Sequence, residues 1–129
     1  MGSFDDSGSR KAAAAWALGR IGYAAGVIAA PTRFAGPWLG DSLSSGGGRV
    51  GAKTMVTRDG LMAAGVLASA YTGRPVRPWI AACAASDLGD IAFTLAERDE
   101  LPDGSARMTA AVAGVAMLSG IALLFAVER

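Results

Sequence analysis

Two carboxylates, Asp87 and Asp90, lie within the mostly apolar segment 77–96 (RPWIAACAASDLGDIAFTLA). Because they are three residues apart, they project from one face of a helix. A segment of this length matches a bilayer span, in which ionised side chains cost several kcal/mol unless they find partners or water. The two acids therefore belong either to a buried ion-pair network or to a polar cavity that binds a proton, a cation or a polar headgroup.

Three further charged side chains match these acids in depth. Counted from the start of its own helix, Arg20 lies nine residues in and Asp87 ten, so both lie about 14 Å from the same membrane face. An antiparallel second helix brings its Arg58-Asp59 pair to the level of Asp90. We therefore expect one buried polar layer, either structural or able to bind a ligand or ion, made of Arg20, Arg58, Asp59, Asp87 and Asp90.

Four helices must hold this layer, and the sequence predicts them at about 11–30, 52–71, 77–96 and 106–127. The last contains 20 residues without a charge, close to the ~20 needed to cross ~30 Å of hydrocarbon. The second helix is the least apolar and carries charges below the surface. Short connections link the last three helices, which favours antiparallel neighbours. The predicted fold is all-α, an antiparallel four-helix transmembrane bundle.

Outside the helices, residues 1–10 read as a flexible N-terminal lead, so that 11–127 form a single domain. A longer connection, 32–54, separates the first two helices and includes the glycine-rich GGGRVGAKT, which we expect to be a flexible loop. It is not a phosphate-binding loop, because Ala52 separates Gly51 from Lys53 and no strand precedes it. The N-terminal apolar run resembles a signal peptide, but Arg20 interrupts it, which favours a retained span.

Small residues recur at helical spacing on the first and fourth helices. Glycines at such spacing let a second helix approach closely, either within the chain or from another copy. The predicted helix-packing positions are Gly19, Gly22, Gly26, Gly114 and Gly120.

Composition excludes several classes of function. Apolar types make up 52% of the chain and 18 residues are glycine, which favours lipid as the surrounding solvent. The absence of histidine removes His-dependent triads and His metal ligands, and a single cysteine, Cys83, excludes an internal disulfide. The net charge of +1 comes from interspersed acids and bases and gives no basic face for nucleic acid. We expect no metal and no cofactor. Two carboxylates can act as acid and base, but the sequence favours a protein that is not an enzyme.

The chain resembles a family of short four-span bacterial membrane proteins of unknown function and, more distantly, the DoxX-like membrane proteins. The resemblance rests on Arg20 and the residues that follow it in the first span, on the Arg58-Asp59 pair, and on the paired acids Asp87 and Asp90. It implies a four-span topology with a polar layer. It implies no substrate.

These features predict a small multi-pass protein of the cell membrane, surrounded by the lipid bilayer, with a role that is not enzymatic. We expect an accessory or scaffold subunit that self-associates or joins a larger membrane complex. The alternative is a small proton- or cation-coupled transporter, or a bundle that binds a polar ligand, using Asp87 and Asp90.

Overall fold

A computed structural model of the protein describes residues 6–127, and over this range the chain is helical without strands. The all-α prediction is confirmed. Five α-helices follow one another: α1 Asp6–Ala29, α2 Pro31–Leu39, α3 Gly46–Thr72, α4 Arg77–Ala96 and α5 Ser105–Ala126. Short 3-10 turns at Gly40–Ser44 and Arg98–Glu100 complete the described chain.

The predicted long connection between the first two helices is wrong, because most of it is helical. Pro31 occupies the first turn of α2, where its fixed φ suits a helix start. The glycine-rich stretch is also helical and opens α3. The side chain of Ser45 caps α3 by accepting a hydrogen bond of 3.0 Å from the Gly48 amide. A side chain at Gly48 would collide with the carbonyl oxygen of Ser42, which explains a glycine there.

The first helix also begins earlier than predicted. It starts at Asp6, so the second half of the predicted lead 1–10 is helical. The rest of that lead, residues 1–5, lies outside the described residues. The third and fourth predicted helices correspond closely to α4 and α5.

The long helices pack as two antiparallel pairs, α1 with α3 and α4 with α5. At one end of the bundle, the near end, α1 and α4 begin while α3 and α5 finish. An arginine closes each pair there by donating to carbonyls at the end of the partner helix, which completes groups that the helix itself leaves unpaired. Arg10 donates to the carbonyls of Ser69 and Arg74. Arg77 donates to those of Leu124 and Val127.

The opposite end of the bundle, the far end, is covered by α2. The Trp38 indole donates a hydrogen bond of 3.0 Å to Thr94 Oγ1 of α4, and Ala35 is fully buried. This covering packs over a core cluster shared by α1, α2, α3 and the first 3-10 turn: Ala24, Val27, Ala35, Leu43, Ala52 and Val56. Without a side chain at Gly26, the Phe34 ring lies directly against α1.

The main core is built from small side chains, which lets the helix backbones approach closely. Its buried members are Ala13, Ala17, Ala63, Val66, Val76, Ile80, Cys83 and Val127. Cys83 is buried, as its apolar surroundings in the sequence predict. Between α3 and α4, a Cβ at Gly65 would be 2.3 Å from the Trp79 ring, so the missing side chain makes room for that ring.

Within residues 6–127, three helices are long and apolar enough to cross a membrane: Ser7–Ala29, Arg77–Ala96 and Ser105–Ala126. Only 11% of the most apolar stretch of α5 is buried inside the protein. Large apolar side chains on it, such as Val112, Leu118 and Phe125, are more than half exposed. A helix this apolar and this little buried needs an apolar surrounding, so these helices indicate a membrane protein.

Candidate functional site

The centre of the bundle is crossed by an ion pair between Arg20 of α1 and Asp87 of α4. Both terminal guanidinium nitrogens donate to the carboxylate, Nη2 to Oδ1 at 2.7 Å and Nη1 to Oδ2 at 2.9 Å. The two side chains are 13% and 6% exposed. Bidentate geometry of this kind is the strongest form of arginine–carboxylate contact. The pairing predicted from equal depth along parallel helices is confirmed.

Trp16 supports this ion pair and was not singled out by the sequence. The Arg20 guanidinium carbon lies 4.9 Å from the centre of the Trp16 ring, within the range of a cation–π contact. The same ring packs on α5, where a Cβ at Gly120 would be 3.2 Å from it. A tryptophan four residues before an arginine shares its helix face, which is the signal that could have identified it. The Arg20 Nε is buried without a hydrogen-bond partner among the described residues.

A second charged cluster lies between α3 and α4 and includes the other three predicted residues. Arg58 Nη2 lies 3.1 Å from Asp59 Oδ1 and 3.2 Å from Asp90 Oδ1. Ser86, which the sequence did not indicate, donates its hydroxyl to Asp59 Oδ1 at 2.8 Å. The Arg58 side chain is 49% exposed, whereas those of the two acids are 17% and 15% exposed. The cluster contains one more acid than base and is open on one side.

The predicted polar layer therefore exists as two unequal parts. Asp87 and Asp90 lie on the same helix, but the first is sealed against Arg20 and the second is shared with the open cluster. Both parts cross between the two helix pairs, since Arg20 and Arg58 belong to α1 and α3 while both aspartates belong to α4. Their arrangement ties one pair of helices to the other at a defined register.

The predicted packing glycines divide in the same uneven way. Gly26 and Gly120 lie against aromatic rings within the chain. At Gly19, Gly22 and Gly114, a Cβ would meet nothing within 4 Å, so of the two predicted uses only contact with another chain stays open for them. These three face outward because their helices turn other faces to the core.

The described residues enclose cavities away from the polar layer. One cavity of about 420 Å³ lies between α1 and α5, beside Trp16 and Leu123. Another, of about 560 Å³, lies where α4 leads into α5. Neither is lined by the charged residues of the polar layer. Within residues 6–127 no group of three or more acidic or cysteine side chains is arranged to hold a metal ion.

Comparisons of the chain with protein-family models, with curated proteins and with solved structures found no match. The resemblance to short four-span membrane proteins therefore stays a prediction.

Proposed function

We propose that the protein is a multi-pass membrane protein whose four long helices all cross the bilayer, and that it serves as an accessory or scaffold subunit without enzymatic activity. The apolar, little-buried helices α1, α4 and α5 support the membrane placement. The sealed ion pair of Arg20 and Asp87 carries the proposed role, because these charges are committed to holding the bundle together.

The fourth crossing helix is α3, whose charges make it the least apolar. It runs antiparallel along α1 over much of its length. Gly60 lies beside Ala24, and the Ser69 carbonyl accepts from Arg10 near the start of α1. Because α1 is long enough to span the bilayer, a helix packed along it occupies the same depth. Pairing with Asp90 then compensates the Arg58 charge that α3 carries inward.

In a bilayer the two helix pairs gain little by the hydrophobic effect when they associate, because lipid is as apolar as their side chains. Packing and polar contacts must then decide how one pair sits on the other. Sliding one helix pair along the other would break the bidentate contact between Arg20 and Asp87 and leave both charges buried without a partner. The contact therefore selects a single register between the two pairs. A rigid bundle of this kind suits a protein that presents surfaces to partners.

The surfaces available to partners are the outward small-residue positions. Gly19 and Gly22 on α1, and Gly114 on α5, leave room for another helix to approach closely. We propose that they serve self-association or assembly into a larger membrane complex. Purification from native membranes in mild detergent, followed by mass spectrometry, tests this. A copurifying set of fixed stoichiometry is expected, and a protein recovered only as a monomer would contradict the proposal.

A second candidate function, proton- or cation-coupled transport, is favoured by the open cluster alone. Asp59 and Asp90 share the single base Arg58, which leaves one negative charge uncompensated beside a half-exposed side chain. The two functions separate in reconstituted vesicles with Asp90→Asn. For a scaffold, the substitution leaves ion flux at the background of empty vesicles, as for wild type. For a transporter, wild type gives flux above that background and the folded variant loses it.

A further inference from the structure

The corner between α4 and α5 at the far end contains a cavity that the polar layer does not use. Its volume of about 560 Å³ falls in the range of small-molecule sites. Apolar side chains, among them Leu95 of α4 and Ala110 of α5, line one part of it. Arg98, Arg107 and Asp103 line another. The cavity is therefore apolar along one part of its wall and charged at its rim.

The charged side chains of the rim form no strong ion pairs with one another. Arg98 lies 3.7 Å from its neighbour Asp99, and these side chains are 67% and 92% exposed, so the contact is weak. Arg107 is exposed and forms no hydrogen bond or ion pair within residues 6–127. With Asp99 and Asp103 also lining the cavity, the rim holds two bases and two acids. Such a rim matches a headgroup that carries both signs of charge.

The loop that lines the cavity is fixed by contacts with the first 3-10 turn and by hydrogen bonds of its own. Pro102 packs so tightly on the first 3-10 turn that a Cβ at Gly40 would lie 2.3 Å from its ring. Within the loop, the Leu101 amide donates to the Arg98 carbonyl at 3.3 Å, and the Ser105 amide donates to the Pro102 carbonyl at 2.9 Å. A preformed site loses less conformational entropy when it binds a ligand.

The position of the cavity identifies its occupant. Arg107 lies in the first turn of α5, the helix most exposed to lipid, and so at the level of the headgroups. We propose that this corner binds one phospholipid, with its phosphate between Arg98 and Arg107 and an acyl chain along Leu95 and Ala110. The carboxylates of Asp99 and Asp103 accept hydrogen bonds from the ammonium group of an ethanolamine headgroup. This site rests on the proposed membrane placement.

The test measures lipid retention by native mass spectrometry on protein purified in detergent. The probes are dioleoyl phosphatidylethanolamine and dioleoylglycerol, which share acyl chains and differ in the phosphate headgroup. Wild type is expected to retain the phospholipid at least tenfold better. The variant Arg98→Gln/Arg107→Gln should lose that preference, because charge-assisted hydrogen bonds to phosphate are strong. Lys53→Gln, an exposed base at the same end outside the cavity, should retain it.

Equal retention of the two lipids, or equal loss in Lys53→Gln, would overturn the site. If water-soluble glycerophosphoethanolamine competes as strongly as the lipid does, the occupant of the site is a soluble phosphate compound and the proposed phospholipid is wrong. The thermal unfolding midpoint of the double variant should match wild type, since both arginines are exposed, and the lipid comparison is made on that folded protein. Monodispersity in detergent-free buffer, checked first, would overturn the membrane placement itself, whereas the lipid results alone overturn only the site.

Discussion

The two parts of the polar layer use the same chemistry in different surroundings. Arg20 and Asp87 form two short hydrogen bonds in the middle of the bundle, sealed from outside. Arg58 meets Asp59 and Asp90 through longer contacts between α3 and α4, with half of its side chain open. The first part pairs one acid with one base, whereas the second has two acids for one base. The predicted layer is thus divided by burial into an ion pair that holds α1 against α4 and a cluster that is accessible from outside.

The difference follows from where each helix pair meets the other. Arg20 points from α1 across the bundle toward α4, so protein surrounds its guanidinium, including the Trp16 ring. Arg58 lies at the seam between α3 and α4, which is covered on one side only. A buried charge depends on its partner, whereas an exposed one can reorganise toward polar surroundings.

The largest effect should come from Asp87→Asn, which leaves Arg20 buried without its counter-charge. Breaking a buried pair in this way costs about 3–5 kcal/mol. We expect a loss of this size in the free energy of unfolding, measured by denaturant titration in mixed micelles. A loss below about 1 kcal/mol would show that the pair does not lock the bundle.

Replacing both partners with apolar side chains should restore most of that loss. In Arg20→Met/Asp87→Leu no charge stays buried, and such replacements are often close to neutral. We expect a free energy of unfolding within about 1 kcal/mol of the wild-type value in the same titration. If the double variant stays as unstable as Asp87→Asn, the charge-burial explanation for the single variant is wrong.

The open cluster should respond weakly to the same kind of change. Asp90→Asn keeps an oxygen that accepts from Arg58, and Asp59 still compensates the guanidinium. Polar contacts between membrane helices average about 0.6 kcal/mol, so we expect a loss of about 1 kcal/mol or less. A loss equal to that of Asp87→Asn would remove the distinction between the two parts of the layer.

The smallest effect should come from Ser86→Ala, which removes one hydrogen bond to Asp59. The remaining contact with Arg58 keeps the carboxylate paired, so we expect a change of about 0.5 kcal/mol in unfolding free energy. In the Asp90→Asn background, Ser86→Ala should cost more unfolding free energy than in wild type, because the cluster then has fewer polar contacts left to hold Asp59. Strict additivity would show that Ser86 and Asp90 do not act in one cluster.

The sequence predicted α4 and α5 closely, and it predicted that Arg20 and Asp87 lie at the same depth. Residue number along a helix converts directly into distance along the helix axis, so Arg20 and Asp87 could be matched before any contact was known. It missed α2 and the early start of α3. Gly46, Gly47 and Gly48 have low helix propensity, which the Ser45 cap and the packing of Ala52 and Val56 help to offset.

Composition and periodicity alone determined that this chain is helical and apolar enough for lipid. They also determined that acids and bases on different helices lie at matching depth. Those properties depend on residue type and on distance along one helix, both of which can be read without a fold. Only the tertiary structure decided that Asp87 is sealed while Asp90 is open, that Gly65 and not Gly19 receives a neighbouring helix, and that Arg107 borders a cavity. Each of these depends on how helices rotate and pack against one another, which local sequence does not specify.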